Sequence, residues 1–84
     1  MTVGDRHREL VAAVEQAQET LDRHRRHMER LVRYHDECPD GDPRKAAVER
    51  DMDRKLAQVH AAEAAAGVAV DELLDFEDAH PEVV

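Results

Sequence analysis

His24, His27, His35 and His60, with Glu63 three residues after the last, are the side chains whose types and spacing come nearest to a reactive site. Imidazole and carboxylate ligands suit zinc or iron, and residues three apart on a helix occupy neighbouring faces. If the two stretches pair as helices, His24, His60 and Glu63 fall within roughly a turn of one another. The signature of a specific site is missing. There is no His-Glu-x-x-His motif, and neither histidine pair has the Glu-x-x-His order used by di-iron bundles. No metal or other cofactor is therefore expected, and His24, His60 and Glu63 stand only as the residues from which a metal site would be built. His24 also falls between Leu21 and Met28 in an apolar repeat, so acid is expected to weaken the fold by forcing charge onto a buried ring.

Nucleophilic chemistry has still less to work with. The chain has no serine, its aliphatic hydroxyls are Thr2 and Thr20, and no glycine-rich phosphate loop is present. Its single cysteine, Cys38, has only His35 as a nearby base. The expectation is a protein that is not an enzyme. A lone cysteine cannot form an internal disulfide, and no apolar run approaches the roughly 18 residues of a membrane span. A cytoplasmic protein without membrane contact follows as an expectation.

Charge is distributed unevenly. The net charge is −8, yet all 12 lysines and arginines lie at or before Lys55, and residues 56–84 carry seven acids and no base. Arg23, Arg25, Arg26, Arg30 and Arg33 cluster as a nucleic-acid-binding stripe would. The overall acidity, the scarcity of aromatics (Tyr34 and Phe76) and the nearby Glu49, Asp51 and Asp53 favour salt bridges within or between subunits instead. At the other extreme, Glu63 to Leu74 resembles the turn of a helix-turn-helix in outline. Its second helix would carry five acids between Asp71 and Asp78, which phosphates would repel. The same stretch suits a protein partner with a basic-rimmed apolar groove: Leu73, Leu74 and Phe76 would enter it while Asp71, Glu72 and Asp75 meet its rim. In the plainer alternative, Leu73 and Phe76 close the end of a helical bundle.

The elements that position these residues follow from periodicity. Leu10, Val14, Ala17, Leu21, His24, Met28, Leu31 and His35 alternate in steps of four and three, a heptad seam predicting a helix over about residues 5–36. Pro39, Gly41 and Pro43 break it, with Asp42 placed as N-cap of the next helix. Met52, Leu56, Val59, Glu63, Ala66, Val70 and Leu73 form a second seam, interrupted only by Glu63. This helix starts near residue 43 and either ends at Gly67, with a short acidic third helix over 71–79, or continues to 79. β structure is excluded, since strand-forming alternation and regularly spaced turns are absent. The single domain is thus all-α: an antiparallel hairpin in which facing positions sum to about 80. Two helices bury one face each, so dimerisation into a four-helix bundle is expected to complete the core.

The function expected is a protein–protein interaction module, a small regulator or assembly subunit using its acidic end. The alternatives are a phage or mobile-element antagonist that mimics nucleic-acid charge, and a His-based metal-binding bundle.

Overall fold

The computed structural model describes residues 2–84. Two long helices, α1 (Val3–Glu37) and α2 (Pro43–Ala79), pack antiparallel, and a 3-10 turn (Pro81–Val83) ends the chain. No strand occurs among the described residues. Local chemistry sets each boundary. Thr2 and Asp5 form a reciprocal capping box at the start of α1, which lengthens the helix beyond the expected residue 5. At α2, the Asp42 carboxylate accepts from the Arg44 amide at 2.9 Å and Pro43 occupies the first helical position. Gly41 adopts φ 85°, the left-handed conformation that lets the chain reverse in so few residues.

These two caps and a loop ion pair hold three carboxyls below the ordinary aspartate value of 3.8. Asp5 is lowered first by the Thr2 amide, Asp42 by the Arg44 guanidinium, and Asp40 by the Lys45 ammonium. Gly67 does not end α2. The helix passes through it without left-handed backbone and continues to Ala79, so no separate helix forms over 71–79.

The α1 seam is as its spacing predicts: Leu10 and Leu21 are buried, and Val14, Ala17, His24, Met28, Leu31 and His35 are half-buried. The α2 seam differs. It runs Val48, Met52, Lys55, Val59, Ala62, Ala66, so that Leu56 is 43% exposed and Glu63 also lies outside. Met52 and Val59 are fixed in either phase, and a step of three or four can connect them. The observed phase keeps the Glu63 carboxylate in water, where its charge is not desolvated. It also places Ala62 against Leu21 in the core cluster of Leu21, Val59, Ala62 and Ala66. Lys55 replaces Leu56 because its stem can line the seam while its ammonium reaches a polar group.

Pairing keeps the expected register at mid-length, where Lys55 meets His24 and Leu21 and Val59 share the core cluster, and departs from it towards both ends. His7 meets Glu77 and His35 meets Glu49, each about one helical turn further along α2 than a loop-centred count predicts. Side chains lean towards the N-terminus of their own helix. In an antiparallel pair the two leans add, carrying α1 side chains to partners further from the loop.

The hairpin is a rod of 61 × 18 × 14 Å in which no large side chain is completely enclosed. Its accessible surface is 5978 Å², against about 5,100 Å² expected for a compact protein of its 9.6 kDa mass.

Candidate functional site

Three polar contacts punctuate the hairpin. Nearest the loop, His35 Nε2 donates to Glu49 Oε1 at 3.0 Å. At mid-length, Lys55 Nζ donates to His24 Nδ1 at 3.2 Å. At the open end, His7 Nε2 donates to Glu77 Oε2 at 2.8 Å, with both side chains largely shielded from water. Phe76 stacks on His7 with ring centroids 6.2 Å apart and lies 4.5 Å from His80. His80 in turn reaches Glu82 at 3.2 Å. Imidazoles thus act as cross-helix pins and as the lid over the open end.

The geometry does not gather His24, His60 and Glu63. His24 is turned to the cationic Lys55, His60 is exposed, and Glu63 extends to Arg25 at 3.7 Å. Among the described residues, no group of three or more His, Cys, Asp or Glu is placed to share an ion. Cys38 is buried at the C-cap of α1, its amide donating to the His35 carbonyl at 3.1 Å. The imidazole of His35 is occupied by Glu49 and Asp36.

The arginine cluster is also placed differently from its sequence neighbourhood. Glu49 is taken by His35 and Asp51 by Arg54, so neither bridges to the cluster. Of the five arginines, Arg25 alone makes a cross-helix ion pair among the described residues. The others project from the solvent side of α1, and Arg26, Arg30 and Arg33 border one shallow groove with Glu29.

At the acidic end, the six residues expected to bind a partner divide by face. Leu73 and Phe76 are half-buried, and Phe76 packs against His7 of α1 and His80. Asp71, Glu72 and Asp75 are exposed, and Leu74 among them is 52% exposed. None of the ion pairs seen among the described residues involves these three carboxylates. The outer surface of this end therefore combines uncompensated negative charge with one projecting leucine.

His7 and Lys55 are the residues that sequence reasoning missed. His7 lies three before Leu10 and simply continues the seam, a signal present in the spacing. Lys55 gave no such signal, because a lysine beside a leucine reads as the solvent-facing member of the two.

No family model, curated protein or solved structure matches this chain. No helix among the described residues is long and apolar enough to cross a membrane.

Proposed function

We propose that this chain is a non-enzymatic protein–protein interaction module, a small regulator or assembly subunit that presents the acidic end of α2 to its partner. The observation that carries this reading is the exposed set Asp71, Glu72, Leu74 and Asp75 near the C-terminal end of α2. Carboxylates flanking one projecting apolar side chain suit a partner surface with an apolar groove and a basic rim. Phe76 contributes from beneath by packing against His7 of α1, so the contact surface is presented already ordered. The lone thiol fits a cytoplasmic setting. The hairpin itself would complete its core by dimerising into a four-helix bundle, as its surplus of exposed surface suggests.

A photo-crosslinking residue at position 75 of the intact chain tests the acidic end. The expected result is an adduct with a second, different protein that is lost in Asp71→Lys/Glu72→Lys and at high salt while helicity is retained. Adducts unchanged by the charge reversal would remove the proposal.

A further inference from the structure

Beyond the acidic end, a second surface lies along one flank of the hairpin, and its occupant can be argued from area and charge. Arg25 and Glu63 meet across the groove between the helices, and Gln18, Gly67, Val70 and Asp71 line the same groove. Stepping by heptads from that pair keeps to the same flank. One heptad towards the loop lie Val32 and Leu56, which are 37% and 43% exposed. Away from the loop lie Val70 and Val11, both half-buried. This flank therefore carries apolar side chains beside the seam at Val11, Val32, Leu56 and Val70, interrupted by the Arg25–Glu63 ion pair and by Gln18. The opposite flank is polar near the loop, where His27, Asp51, Arg54 and Gln58 line its groove, and further on its apolar lining of Ala13, Ala17, Ala62 and Ala65 consists of small side chains only. A two-helix seam needs only two apolar positions per heptad, whereas a helix within a bundle uses a third.

We infer that this flank is the interface with a second copy of the chain, joined about a two-fold axis parallel to the helices so that α1 of each copy packs on α2 of the other. This orientation sets Val32 against Leu56 of the partner subunit at the same level. It also sets Arg25 beside Glu63 of the partner subunit, repeating between copies the ion pair already seen within one. A two-fold axis across the rod would instead pair each helix with its own copy reversed. It would bring Glu63 near its own counterpart and take Arg25 away from Glu63 of the partner subunit. Like charges opposed in this way disfavour that arrangement. Area agrees with one such contact. The hairpin exposes about 900 Å² more than a compact monomer of its mass, close to the roughly 800 Å² each partner contributes to a standard interface.

The test combines mass with orientation. The intact chain at tens of micromolar is expected to have twice the monomer mass. Spin labels at position 40, placed by Asp40→Cys in a Cys38→Ala background, should lie about 20–30 Å apart, the width of a bundle. Leu56→Asp should weaken dimerisation at least about thirtyfold with helicity retained, and Val32→Asp provides the same test from α1 should Leu56→Asp lose helicity. A monomeric mass, label separations near the 61 Å length of the rod, or a Leu56→Asp variant that dimerises like the parent would each overturn the inference. Glu72 and Asp75 do not line this groove, so Glu72→Lys/Asp75→Lys should leave the dimer intact, and failure here is separable from failure of the acidic-end proposal.

Discussion

His24 shows how one side chain can be legible in position and illegible in role. Its place on the seam follows from spacing, but its partner is a lysine that the hydropathy pattern assigned to solvent. The Lys55 ammonium donates to His24 Nδ1, so that nitrogen must be free of a proton. His7 and His35 instead donate to carboxylates, so His24 is the one cross-helix imidazole whose partner is a cation. His24→Leu/Lys55→Met should therefore stabilise the hairpin by about 1–2 kcal/mol, a well-packed apolar layer replacing a polar one. Thermal melts check this outcome, and a variant less stable than the parent would contradict it. The core sets the scale for comparison: Leu21→Ala, at a site 4% exposed, should cost about 2–4 kcal/mol.

Among the elements, α1 was readable throughout because every fourth or third residue from Leu10 to His35 belongs to one stripe. α2 was not, because both Lys55 and Leu56 fit between Met52 and Val59, and both Ala62 and Glu63 between Val59 and Ala66. Choosing the more apolar residue at the first step imposes the wrong phase on the second. The observed phase buries Ala62 with Leu21 and leaves Glu63 in water, a choice between small and charged that outweighs the greater hydropathy of Leu56. The same limit applies at Leu73, Leu74 and Phe76, where composition marks an apolar turn but only the phase tells which members face α1. Gly67 illustrates a related ambiguity. Added methyl groups there meet nothing within 4 Å and the backbone is helical, so Gly67→Ala should stabilise α2 by up to about 1 kcal/mol. At Gly41, with φ 85°, the same substitution should destabilise by about 1–2 kcal/mol. Chemical denaturation of the two variants should give shifts of opposite sign. The helix starts also make stability depend on acid. Asp5, Asp40 and Asp42 have folded values below the ordinary 3.8, so their contribution is present above that value and lost as pH falls through the lower folded values. Fraying of the start of α1 and of the loop end of α2 should therefore appear below about pH 4, visible as faster amide exchange near Asp5 and Arg44.

As a whole molecule, the chain is a rod with too much surface for its mass and with charge concentrated at one end. Length and composition indicated the small core, and heptad spacing indicated the hairpin, but the apolar side chains of one flank emerged only once the α2 phase was fixed. Leu56 is the clearest case, since a residue assigned to the intramolecular seam instead lies on the outer flank. Small-angle scattering of the untagged chain tests most directly whether that flank is completed by a second copy. Side-by-side packing predicts a mass of about 19 kDa, twice the 9.6 kDa of one chain, with a longest dimension still close to 61 Å. A 9.6 kDa particle with a radius of gyration near the single hairpin's 18.6 Å, or a doubled mass with a much longer particle, would contradict it.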